Sequence, residues 1–153
     1  MKSIKLFFLS LIFIPFTASA LCVNVSQANL RSKPSKKGRV LWTVGKYMPL
    51  IGIRSKGNWV NVKDLDGKKM WIHGGLVSED IDCAVVKVNN SSLRNGPGTN
   101  FSKTLLSYAG KYMAFKKLGR DGAWLQLQDD FGHKHWVFEK NLWEPLAYSN
   151  VTY

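Results

Sequence analysis

The stretch GNWVNVK (Gly57–Lys63) decides how the chain is read. Its apolar and polar residues alternate with a period of two, which marks a half-buried strand rather than a helix. Alternation turns Val60 and Val62 toward a core and leaves Trp59, Asn61 and Lys63 facing out. Downstream, GAWLQLQ (Gly122–Gln128) repeats the pattern, with Leu125 and Leu127 inward and Trp124, Gln126 and Gln128 outward. One strand has been written twice.

The rest of the chain follows the same rule. The tetrapeptide GKYM occurs at Gly45–Met48 and at Gly110–Met113, and Trp71 in KMWIH answers Trp136 in KHWVF. These landmarks keep one offset of 65 residues. NLRSKPS (Asn29–Ser35) and SLRNGPG (Ser92–Gly98) share Leu-Arg-x-x-Pro at an offset of 63, so the second copy carries a two-residue insertion around TNFSK. CVNVS and CAVVKV open the copies; RVLWTV and KTLLSY, then YMPLIGI and YMAFKKL, read as further strands. Gly, Pro, Asn and Asp clusters such as NGPGTN, RSKGN and DLDG separate them. No helical stripe is present beyond possible single turns at HGGL and EKNL. The expected fold is all-β, two small tandem barrels, each of five or six short strands. The first is placed at 21–77, a linker SEDID at 78–82, the second at 83–143 and a C-terminal tail at 144–153.

The sequence of landmarks (Leu-Arg-x-x-Pro, Gly before a strand, Gly-x-Trp, Asp-Gly, a second Trp) resembles the bacterial SH3 domain family. SLRNGPGTNFSK is especially close to the family pattern. The first copy departs from it with Lys33 where relatives usually carry Gly, and Met70 and His135 precede the second tryptophans where Gly is usual. The resemblance implies SH3-like barrels. It also implies a binding role, since relatives serve as wall-targeting modules, envelope proteins and protein-binding modules.

Residues 1–20 read as a cleavable signal peptide: Lys2 and Lys5, an apolar core Leu6–Phe16, then small residues to Ala20. That core is short for a membrane span, and bulky Leu21 before Cys22 argues against a lipoprotein signal. The expected mature chain is exported, periplasmic or secreted, with no integral membrane span. The whole chain has 22 basic and 10 acidic residues, a net charge of +12. Without the leader's Lys2 and Lys5 it is +10, which favours anionic partners such as nucleic acid, acidic wall polymers or lipid headgroups, and export argues against nucleic acid as the main partner.

No catalytic constellation assembles, so the reading is a non-enzyme without cofactor or metal. His133 and His135 share a strand face and could begin a metal site with Asp129, Asp130 or His73, but a solvated turn explains them more simply. Asp64/Asp66 and Asp129/Asp130 fall at turns that favour carboxylates for backbone reasons. A Cys22–Cys83 disulfide would close a loop of about 60 residues and stabilise by roughly 4 kcal/mol in the chain-entropy model. Free thiols or an intermolecular bond are the alternatives. The Asn-x-Ser/Thr matches at Asn24, Asn90, Asn100 and Asn150 fit chance occurrence of a permissive motif.

For ligand binding, alternation leaves Tyr47 and Tyr112 outward on the strands preceding Trp59 and Trp124. One Tyr–Trp pair per barrel, with Lys63 beside the first, is the candidate site. Met48 and Leu50, and Met113 and Phe115, are expected in the core, and the glycines of GKYM suit a positive φ. Arg31 and Arg94 are expected to brace the loops that follow them. The ligand expected is peptidoglycan or its peptide stems; the alternative is an adaptor for another exported protein such as a wall hydrolase. The oligomeric state is open.

Overall fold

A computed structural model describes residues 18–145. The leader's basic and apolar regions and most of the C-terminal tail, with Asn150, lie outside the described residues. The first copy holds β1 (Ser19–Val23), β2 (Gln27–Arg31), β3 (Val40–Gly45), β4 (Pro49–Lys56), β5 (Trp59–Lys63), β6 (Lys69–His73) and β7 (Val77–Ser78). The second holds β8 (Cys83–Val86), β9 (Ser91–Arg94), β10 (Lys103–Ala109), β11 (Ala114–Asp121), β12 (Trp124–Gln128), β13 (Lys134–Phe138) and β14 (Leu142–Trp143). Single 3-10 turns, Gly74–Leu76 and Glu139–Asn141, sit at HGGL and EKNL, as the sequence suggests.

Each copy is one antiparallel sheet of seven strands, in the orders β3-β2-β6-β5-β4-β1-β7 and β10-β9-β13-β12-β11-β8-β14. The two orders are identical once the second is renumbered. The strand pattern in the sequence does not mark Leu-Arg-x-x-Pro as the end of a strand, yet β2 and β9 run through its Leu-Arg. Conversely, β1 stops at Val23, so the Asn-Val-Ser of CVNVS lies beyond it.

The cores follow the alternation. Val62, Leu50 and Met48 pack with Leu30 and Ile72 in the first barrel, and Leu125, Leu127 and Phe115 with Leu93 and Val137 in the second. Asn61 is the exception, since the structure buries it instead of leaving it outward. Its Nδ2 donates to the Met70 carbonyl at 3.0 Å. The reason is local. The β4–β5 register shifts between Gly52 and Arg54, and the Arg54 guanidinium lies 5.2 Å over the Trp71 ring, covering this part of the outer face. Trp71 is buried there, whereas its counterpart Trp136 is only partly buried.

The barrels are docked through an apolar seam. Cys22 and Cys83 form a disulfide, with Tyr47, Ile81 and Ala114 packed around it. Val85 of β8 and Trp143 of β14 reach across into the core of the first barrel. Two ion pairs flank the seam in near-reciprocal fashion: Lys46 to Asp130 at 3.4 Å and Lys111 to Asp66 at 3.1 Å. In each, the GKYM turn of one copy meets the β-turn between the fifth and sixth strands of the other.

Positive φ in those turns falls on the tyrosines, not the glycines: Tyr47 at 66° and Tyr112 at 72°. A left-handed conformation costs a non-glycine residue about 1 kcal/mol or more. Tyr47 N–H donates to the Val23 carbonyl at 2.8 Å and Tyr112 N–H to that of Val86 at 2.9 Å, which helps hold both turns in place. The conformation aims each ring at the neighbouring copy.

Candidate functional site

The same groove occurs once in each barrel, built from residues at constant offsets. In the first it is lined by Gln27, Asn29 and Arg31 of β2, Lys36, Trp59 and His73, and it holds about 410 Å³. In the second, Asn90, Ser92, Arg94, Trp124, Phe138 and Asn141 line a groove of about 540 Å³. Trp59 and Trp124 occupy the same place because each opens its strand just after a two-residue hairpin turn. Gly57 and Gly122 begin those turns with φ of 56° and 55°, which only glycine takes readily.

Across the sheet each tryptophan faces the last residue of the next strand: Trp59 opposite His73 and Trp124 opposite Phe138. The ring centroids are 5.5 Å apart, edge-on, in the first pair and 5.6 Å apart, tilted, in the second. Such cross-strand aromatic pairs stabilise a sheet and hold the indole in one orientation. Both indoles are partly exposed.

The arginines brace their loops. Arg31 Nη1 donates to the carbonyls of Lys36 (3.1 Å) and Gly38 (2.9 Å), and Arg94 Nη1 to that of Phe101 (2.8 Å). The loops differ because the inserted Phe101 lies over Gly96, leaving no room for a side chain there. The first copy has no such phenylalanine and carries Lys33 at that position. An indole wall, carboxamides and hydroxyls, and a guanidinium rim together offer stacking and hydrogen bonds to a polar, amide- or hydroxyl-rich ligand.

Of the residues read from sequence as a ligand site, Trp59 and Trp124 line these grooves. Lys63 does not line the groove with Trp59; it stands at the far end of β5, paired with Ile51 and Lys69. Tyr47 is not outward but buried, 8% exposed, against the disulfide. Tyr112 is half-exposed, but its ring meets Trp42 of the other barrel edge-on at 5.2 Å and its hydroxyl donates to Asp66 at 2.5 Å. The left-handed turn explains both departures, because it rotates the side chain out of the strand's alternation. The tyrosines serve the seam between barrels. Sequence reasoning missed the carboxamides and the His73/Phe138 partners. Their signal was present: polar residues recur at the offset of 63 and ring-bearing residues at 65.

The His-x-His segment spans a braced turn and the start of β13: His133 is exposed in the turn, whereas His135, read from sequence as solvated, is buried on the strand. Asp129 accepts from the backbone N–H groups of Phe131 (3.0 Å) and His133 (2.8 Å), as Asp64 does from Asp66 (3.0 Å) and Lys68 (2.8 Å). Asp129 Oδ2 also lies 3.1 Å from His133 Nδ1 and 3.3 Å from His135 Nε2, and His135 Nδ1 is 3.0 Å from Thr104 Oγ1. Burial pushes the Asp129 carboxyl up, but these hydrogen bonds together hold it below the ordinary value of 3.8. His135 replaces Met70 of the first copy and packs edge-on against Phe115 at 5.9 Å. Among the described residues no group of three or more His, Cys, Asp or Glu has metal-binding geometry.

Residues 24–79 match the family model of the bacterial SH3 domain, so the first barrel is a domain of that family. The second barrel lies beyond that match and is tied to the first by the internal repeat and the identical strand order. Among solved structures, NlpC2 from Trichomonas vaginalis is similar at 11% identity, over 83% of this chain and 48% of that one, with a TM-score of 0.38. An NlpC/P60 family protein from Bacillus cereus gives 12% identity, 88% and 59% coverage, and a TM-score of 0.39. The endolysin LysPBC5 CBD gives 17% identity, 86% and 96% coverage, and a TM-score of 0.33. The chain thus spans about half the length of the NlpC proteins it resembles. No curated protein matches the sequence.

Proposed function

We propose that this is an exported, non-catalytic binding protein of the cell envelope that recognises peptidoglycan or its peptide stems. The observation that carries the reading is the recurrence, in both barrels, of one groove with a tryptophan wall, an arginine rim and amide or hydroxyl groups between. A polymer that repeats its sugar and peptide units suits a protein that repeats its groove. Two linked sites raise avidity well above either alone, commonly by about a hundredfold or more, provided both can engage together. The disulfide-bonded seam supports that condition, since it holds the grooves in a fixed relation.

The whole-chain charge of +12, which falls to +10 once Lys2 and Lys5 leave with the leader, supports the same reading, because it draws the protein to anionic polymers at a rate that falls with ionic strength. A disulfide is at home in an oxidising compartment, consistent with a periplasmic or secreted location. The test is sedimentation of the disulfide-intact protein with purified sacculi. The expected result is protein in the pellet at low salt, with progressive release as salt rises. Protein that stays in the supernatant at low salt rejects the reading.

A further inference from the structure

The seam between the barrels fills a second kind of groove in the first copy and leaves its counterpart open in the second. In the first barrel, Leu41, Trp42, Asp64, Asp66 and Lys68 form a cleft into which Tyr112 is inserted. About 290 Å³ remains beside the ring. The equivalent cleft of the second barrel, between β10 and the β12–β13 turn, has Leu106, Asp129, Phe131 and His133 in the matching places. The reciprocal plug would be Tyr47, but that ring is buried against the disulfide. Among the described residues, the GKYM turn of the first copy sends Lys46 across instead, to Asp130 at the edge. The cleft stays open, with about 740 Å³.

Two changes between the copies shape it. Ser107, with φ of 58°, replaces Trp42, and the β9–β10 register shifts there, which throws Leu105 fully into solvent and half-exposes Leu106. Phe131, 86% exposed, replaces Asp66. Large apolar side chains gathered at one concave site mark a binding surface on a soluble protein. The occupant of the first cleft says what the second would take, because the framework is the same and the seam that fills one runs up to the edge of the other.

We propose that the Leu105–Leu106–Phe131 cleft binds an aromatic side chain carried on a tight turn of a partner protein, as the GKYM turn carries Tyr112 into the first cleft. A phenylalanine ring is preferred over tyrosine. Asp66, which accepts the Tyr112 hydroxyl in the first barrel, has become Phe131, and the Asp129 carboxylate behind it is already engaged by His133, His135 and two backbone donors. This site is separate from the tryptophan grooves and does not rest on the wall-binding reading.

The test uses the peptide acetyl-Gly-Lys-Phe-Met-amide, which copies the chain's own plug with Phe for Tyr, and versions carrying Tyr or Ala in place of that Phe. Each is titrated into nitrogen-15-labelled, disulfide-intact protein. The expected result is saturable amide shifts centred on Leu105, Leu106 and Phe131, in the order Phe, Tyr, Ala, with the Ala peptide at least about tenfold weaker. Phe131→Ser and Leu105→Ser alter exposed side chains, so the rest of the spectrum should be unchanged while binding of the Phe peptide falls about tenfold. The same variants should sediment with sacculi as the parent protein does. Equal shifts with the Ala peptide, no saturable shifts, or shifts confined to other sites overturn the proposal. So does sedimentation equilibrium showing a dimer that buries this cleft, which would make a second copy the occupant.

Discussion

The two barrels share a strand order and differ where they face each other. Around Trp59 in one copy and Trp124 in the other, the barrels present the same kind of groove, with the tryptophan, the arginine and polar β2/β9 residues at fixed offsets. At the seam the symmetry breaks: Tyr112 enters the cleft of its neighbour, while Tyr47 closes over the disulfide. Copies placed in tandem cannot both use one surface for docking and keep it free. The comparison teaches that duplication here repeated the exposed grooves and specialised the facing ones.

The disulfide should have the largest effect on that arrangement. Replacing Cys22 and Cys83 with serine, or reducing the protein, is expected to cost up to about 4 kcal/mol. Thermal unfolding followed by circular dichroism should show a midpoint lower by roughly 10 °C or more. An unchanged midpoint would mean that the apolar seam alone holds the barrels. A smaller effect is expected at the plug. Tyr112→Ala removes the edge-on contact with Trp42 and should cost about 1 kcal/mol from that contact. It also opens the first cleft, so the aromatic peptides should then shift amides around Trp42 and Leu41 as well. If they do not, the two clefts are not equivalent.

The smallest effect concerns pH. The Tyr112 hydroxyl first, and then the Lys111 ammonium, hold the Asp66 carboxyl below its ordinary 3.8. A depressed folded value means that this contact contributes fully above pH 3.8 and is lost as pH falls below it through the folded value. The Tyr112 ring signals should therefore move only under more acidic conditions than an ordinary carboxylate requires, and Asp66→Asn should remove the step. A step centred at or above 3.8 would contradict the clasp.

Much of this was legible in the residues because alternation and repetition are local signals. Val62, Leu125 and Leu127 announce their burial by period two, and the offset of 65 places the tryptophan pairs in equivalent positions. What escaped depends on geometry beyond the strand. Asn61 reads as outward, yet Arg54 folds back across that face after a register shift. Tyr47 and Tyr112 read as partners for the tryptophans, but a left-handed φ turns them toward the other copy. The open cleft was hidden because Leu105 and Phe131 are ordinary residues in isolation. They gain meaning only when set against Val40 and Asp66, which stand in the same positions of the first barrel.

The central claim, that the two tryptophan grooves act jointly in gripping the wall, is tested most directly by co-sedimentation of Trp59→Ala, Trp124→Ala and the double variant with purified sacculi. Each single variant should keep one groove and bind at least about tenfold more weakly through lost avidity. The double variant, folded by circular dichroism, should remain in the supernatant. A double variant that pellets as the parent protein does would contradict the claim and leave charge alone to account for binding.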